Sequence, residues 1–85
     1  MSEKTKAYVM MNLEIGATPS VIKGLQNIPE VVNVASTTGI FDLIVRVEVE
    51  KISLLEDVIY KIHSIKGITR TETEVIIKEL FPQDE

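Results

Sequence analysis

The chain has 85 residues, a net charge of -4 at pH 7, 45% hydrophobic and 26% charged residues, no cysteine and a single histidine. That inventory excludes disulfides, thiolate metal sites, iron–sulfur clusters and cysteine nucleophiles, and leaves no conventional zinc ligand set. The acidic balance does not supply the phosphate-neutralising surface of a nucleic-acid binder. No apolar run reaches the roughly 20 residues of a membrane span. The opening Met1-Ser2-Glu3-Lys4-Thr5-Lys6 lacks a signal-peptide pattern. A single domain over residues 1–85, located in the cytoplasm, is expected. A chain this short buries only about 60–65% of its unfolded surface. With disulfides and metals set aside, oligomerisation is the expected support.

From Ala7 to Ile15 every odd position is apolar, the period of a half-buried strand. Gly16-Ala17-Thr18-Pro19 breaks it. Thr18 is a candidate helix cap and Pro19 suits a first turn, so a helix is expected from Pro19 to Asn27, burying Val21, Ile22, Leu25 and Ile28. Pro29 ends it. Val31 to Thr38 is β-branched and strand-like, with Val32, Val34 and Ser36 sharing a face. Phe41 to Val49 alternates Phe41, Leu43, Val45, Val47 and Val49 against Asp42, Ile44, Arg46 and Glu48. The short link at Gly39 makes the two an antiparallel hairpin. Ser53-Leu54-Leu55-Glu56 has the form of a capping box. The helix it opens presents Leu55, Val58, Ile59, Ile62 and Ile65 before Gly67. A last strand is expected over Ile68 to Leu80, with Thr69, Thr71, Thr73, Val75 and Ile77 on one face, followed by a polar tail in which Pro82 ends pairing.

The order βαββαβ interleaves two right-handed βαβ units into a ferredoxin-like α+β sandwich, sheet order 4-1-3-2, with both helices on one face. The second sheet face then has no cover, yet carries Tyr8, Met10, Ile44 and Ile76. A half-apolar open face is a candidate dimer interface, with Tyr8, Met10 and Ile44 at its centre.

Glycines and acidic residues form no phosphate loop and no metal-loop spacing, so neither cofactor nor metal is expected. His63 has no partner suggested by spacing and reads as a helix-end residue favoured by the dipole. Gly24 inside the first helix points to close packing. The most informative stretch is Ser36-Thr37-Thr38-Gly39-Ile40-Phe41-Asp42. Glycine at a turn exposes N–H groups that can grip a carboxylate, and Asp42 can pair with an ammonium, which together suit a zwitterionic amino acid. The same residues also suit an ordinary turn with Asp42 bonding its own loop. Thr69, Thr71 and Thr73 are either a row of ligand-bonding hydroxyls or simply good strand formers.

Three segments, Ile28-Pro29-Glu30-Val31, Thr38-Gly39-Ile40-Phe41-Asp42-Leu43-Ile44-Val45 and Ile65-Lys66-Gly67-Ile68-Thr69-Arg70-Thr71-Glu72-Thr73, resemble the effector (RAM) domain of the Lrp/AsnC regulators. The resemblance spans nearly the whole chain, and Gly39-x-Phe41-Asp42 is its most specific part. Lys66 stands where that family often has Pro. There is no room for the family's helix-turn-helix before the first strand, so a stand-alone effector module is expected. The resemblance implies dimers joined through the open sheet faces, assembling into octamer or decamer rings, with amino-acid effectors between dimers. By position Thr38, Gly39, Phe41 and Asp42 match the pocket loop, and Thr69, Thr71 and Thr73 the strand that can face it. Full-length regulators of the family are the implied protein partners.

The leading expectation is therefore a non-enzymatic, oligomeric amino-acid-binding module. An ACT-like regulatory module, with its ligand near Gly16, is the alternative. A small ferredoxin-like enzyme fits less well, because Arg46 and Arg70 sit inside strands and tryptophan is absent.

Overall fold

A computed structural model of the chain describes residues 3–81. Its elements are β1 (Thr5–Leu13), α1 (Thr18–Gln26), β2 (Val31–Ser36), β3 (Leu43–Val49), a short 3-10 turn (Ile52–Leu54), α2 (Leu55–His63) and β4 (Ile68–Val75). The four strands form one antiparallel sheet in the order β2-β3-β1-β4. That is the expected 4-1-3-2 order read from the other edge. The expected polar tail, including Pro82, lies outside the described residues from position 82 onward.

The core follows from the strand period. Ala7, Val9 and Met11 of β1 and Leu43, Val45, Val47 and Val49 of β3 point to one side and are buried. Val21, Leu25 and Ile28 from the first helical segment and Leu55, Val58 and Ile62 of α2 close over them. Both helices thus cover the same face. Gly24 of α1 packs against the segment that follows α2: a Cβ there would sit 3.2 Å from the Ile65 side chain. Gly67 needs its glycine twice over, with φ +105° and a Cβ position 2.8 Å from the Ala17 Cβ.

Several local expectations are corrected. β1 ends at Leu13, and Ile15 is fully exposed beyond it. Thr18 is the first helical residue rather than a cap. The Glu14–Ala17 turn, with Ala17 N–H donating to the Glu14 carbonyl at 3.0 Å, already places Ala17 in helical geometry at the N-cap. Ser53 does not cap α2 either. The Leu54 N–H donates to the Lys51 carbonyl at 2.9 Å, so Ser53 is inside the 3-10 turn and Leu54 takes the cap position without a side-chain bond.

The two outer strands break strict alternation. Val31 pairs with Val47 and Asn33 with Arg46, which leaves Val32 as an extra residue in β2. Val31 and Val34 then pack against the core, while Val32 is exposed. At the other edge Asn12 pairs with Arg70 and Leu13 with Ile68, which leaves Thr69 as an extra residue in β4. β3 begins at Leu43, not Phe41, and β4 ends at Val75, not Leu80, with Ile77 exposed after it.

The uncovered sheet face carries Tyr8, Met10 and Ile44 near its middle. Met10 is opposite Ile44 and Tyr8 is opposite Arg46. The Arg46 guanidinium lies 5.7 Å from the Tyr8 ring centre and donates to the Tyr8 hydroxyl at 3.2 Å. Beyond β4 the chain turns across this face. Ile76 N–H donates to the Lys6 carbonyl, and Glu79 bridges Lys6 at 3.3 Å and Arg46 at 3.1 Å. These cations, with Arg46 first, hold the Glu79 carboxyl below its ordinary range. No helix among the described residues is long and apolar enough to cross a membrane.

Candidate functional site

The segment between β2 and β3 is tied down at its base and free at its tip. The Thr37 N–H donates to the Asp42 carbonyl at 3.1 Å, and the Thr37 hydroxyl to the Phe41 carbonyl at 2.8 Å. Asp42 N–H donates to the Met11 carbonyl at 2.9 Å. Between these bonds Thr38, Gly39 and Ile40 project outward. Gly39 has φ +101° with open space around it, a conformation that side-chain-bearing residues rarely adopt. Ile40 is 76% exposed, unusual for so apolar a side chain.

The Asp42 side chain does not bond its own loop. Its Oδ2 accepts the Leu13 N–H at 2.8 Å, where the extra residue in β4 interrupts regular pairing at the end of β1. A carboxylate on a backbone donor is a strong tie. Its other oxygen carries no protein hydrogen bond among the described residues. The neighbouring Asn12 amide donates to the Ile40 carbonyl at 2.7 Å. Two loops, 14–16 and 37–42, therefore lie at the same end of the sheet, each carrying an exposed isoleucine and a positive-φ glycine.

The threonines separate. Thr69, the extra residue, joins the Asp42 end by donating its hydroxyl to the Asn12 carbonyl at 3.2 Å. Thr71 and Thr73 pair with Met11 and Val9, so they stand on the helix-covered side of β4. Thr71 Oγ1 is 2.7 Å from His63 Nε2, a partner for His63 that linear spacing did not suggest. The structure thus brings Thr38, Gly39, Phe41, Asp42 and Thr69 together at one end of the sheet in a single chain. Thr71 and Thr73 face elsewhere, at the exposed β4 edge.

One participant escaped the sequence reading. Arg70 places its guanidinium 5.4 Å from the Phe41 ring centre and pairs with Glu72 at 3.0 Å. The contact joins β4 to the loop. It could have been found only by recognising the extra residue at Thr69, which brings Arg70 opposite Asn12. This end is open in the single chain. A cleft of about 370 Å³ lies at the opposite end, lined by Glu30, Val49 and Lys61 among others, and one of about 610 Å³ runs between α1 and β2 as far as Ser36 and Leu43. Among the described residues no group of three or more His, Cys, Asp or Glu side chains is placed to hold a metal ion.

Residues 6–85 match the model of the Lrp/AsnC ligand binding domain. The chain is 29% identical over 72 residues to the HTH-type transcriptional regulator FL11 of Pyrococcus horikoshii, covering 85% of this chain and 48% of that protein. It spans about half the length of that relative. It is also 29% identical over 79 residues to a homocitrate synthase of Sulfurisphaera tokodaii, of which it covers 17%. Among solved structures, TTHA0845 from Thermus thermophilus superposes with a TM-score of 0.83 at 28% identity, covering 93% of this chain and 99% of that one. The NMB0573/L-Met complex from Neisseria meningitidis shares the fold, with a TM-score of 0.83 at 16% identity, covering 92% of this chain and 53% of that one. The chain belongs to the Lrp/AsnC ligand-binding domain family.

Proposed function

We propose that the chain is a non-enzymatic, oligomeric module that binds amino-acid effectors and modulates Lrp/AsnC-type transcriptional regulation through protein partners. The observation that carries this reading is the loop 37–42. Thr37 closes its base and Asp42 ties it to β1, yet its tip carries an exposed positive-φ glycine with open space around it, and one Asp42 carboxylate oxygen has no protein hydrogen bond among the described residues. A preorganised base with a free tip is a binding arrangement rather than a packing one. The match to a ligand-binding family and the L-methionine held by one protein of this fold support the effector class.

The assembly belongs to the same proposal. Tyr8, Met10 and Ile44 form the core of a face-to-face homodimer. Ile15 and Ile40, exposed at the loop end, suit contacts between dimers in an octamer or decamer ring. Effector at that end would then be enclosed by a neighbouring subunit, with Thr71 and Thr73 of the β4 edge available across the interface. Full-length regulators of the family are the partners, in the cytoplasm.

Light scattering and calorimetry test this together. The wild type is expected to run as a multiple of 9.5 kDa and to bind at least one common L-amino acid. Met10→Asp, which puts a charge at the centre of the open face, is expected to lower the mass. Intact oligomers that bind no amino acid would refute sensing. An unchanged mass for Met10→Asp would refute the interface.

A further inference from the structure

We propose that Arg70 is the group that reads the α-carboxylate of the bound amino acid, with Asp42 receiving the ammonium. This deepens the proposed function and rests on it.

The argument begins with what a zwitterion needs: one anion and one cation, held a few ångströms apart and partly shielded from water. The anion is in place. Asp42 is fixed through Oδ2 on the Leu13 N–H and keeps its other oxygen free of protein hydrogen bonds among the described residues. The cation that the structure sets against the same loop is Arg70. It reaches Phe41, the residue next to Asp42, with its guanidinium 5.4 Å from the ring centre. Stacking on an aromatic face holds the guanidinium plane while leaving its N–H edge directed outward. That edge matches a carboxylate in bidentate fashion, which an ammonium cannot do.

Register brings Arg70 to the end of the sheet where the loop is held. Arg70 is opposite Asn12 in the sheet, and Asn12 is bonded to the Ile40 carbonyl of the loop. The extra residue at Thr69 delivers Arg70 to this position and anchors it through the Asn12 carbonyl. The partner that Arg70 has now is weak competition. The Arg70–Glu72 pair is half exposed on both sides, 56% and 49%, so solvent screens it and a ligand carboxylate can displace it. Phe41 thereby gains a function that its half-buried place in the loop before β3 does not require: it is the platform for the carboxylate-reading group.

The test compares amino acids with their α-carboxamides, which keep the ammonium and side chain but lose the negative charge. The purified protein is titrated calorimetrically with the common L-amino acids, and every binder is re-measured as its α-carboxamide. The wild type is expected to prefer the acid at least tenfold. Arg70→Gln is expected to bind acid and amide alike, and Arg70→Lys to recover part of the preference. A wild-type ratio near one, an unchanged ratio in Arg70→Gln, or loss of acid and amide binding together in that variant would each overturn the role of Arg70 alone. A wild type that binds no amino acid overturns the amino-acid reading and this assignment with it.

Discussion

The two ends of the sheet are held in different ways. At the end where β1 meets the 37–42 loop, the ties run mostly to backbone: Asp42 and Thr37 bond main-chain groups, as do Asn12 and Thr69. At the other end the ties are charge on charge, with Glu79 clasped by Lys6 and Arg46, and Arg46 reaching Glu48. Backbone ties fix a chain in one geometry, because the donor and acceptor directions are set by the fold. Pairs between long, half-exposed side chains hold a segment in place but tolerate sliding and screening. The end proposed to hold the effector has the first kind. The end where a terminal segment crosses the open face has the second.

Substitutions at the two ends should separate these kinds of restraint, measured by urea unfolding at fixed protein concentration, so that the proposed association contributes equally to every variant. The largest effect is expected from Gly67→Ala. It combines a left-handed backbone with a Cβ 2.8 Å from Ala17, and a loss of about 2–3 kcal/mol follows from strain and overpacking. Asp42→Ala orphans the Leu13 N–H and should cost about 1.5 kcal/mol, the low end for a hydrogen bond to a charged group. That loss should change little with salt, and amino-acid affinity should fall with it. Gly39→Ala has the same backbone strain as Gly67→Ala but open space around it. A loss of about 1 kcal/mol is expected, and a cost equal to that of Gly67→Ala would show that packing at Ala17 is irrelevant.

The smallest effect belongs to the charged end, and its signature is its pH dependence. Glu79 has its carboxyl lowered from the usual 4.5, first by the hydrogen bond from Arg46 and then by Lys6. A depressed carboxyl contributes stability that is fully present above its unfolded value and lost as pH falls through the lower folded value. Glu79→Gln should therefore unfold like the wild type at the bottom of an acid titration and be slightly less stable at neutral pH. The gap should close in high salt. A gap that persists at both extremes would mean that Glu79 acts through packing, and the contrast between the two ends would fail.

Much of the fold was legible because two strands and two helices announce themselves by period. β1 and β3 alternate strictly, since both lie inside the sheet and bury one face. The outer strands carry one extra residue each, and a single inserted position moves every later side chain to the other face. That is why Val34 and Val31 share the core side, and why Thr69 parts from Thr71 and Thr73. The cap residues mislead for a related reason: helical geometry starts before Thr18 and before Ser53, so neither hydroxyl meets a cap position. At the site, Thr38, Gly39, Phe41 and Asp42 were visible as a local cluster. Arg70 was not, because its aromatic partner is Phe41, far away along the chain and reached only through the register of β4.

The same two irregularities bear on how the protein avoids uncontrolled growth. β2 and β4 are the margins of the sheet, and each presents unpaired main-chain groups along one side. A straight margin is a template onto which another copy can add strand by strand without end, the route to fibrils. Val32 and Thr69 bend both margins and interrupt that template. Both margins thereby resist lateral stacking, which leaves the broad face to the proposed two-fold contact, a contact that closes on itself.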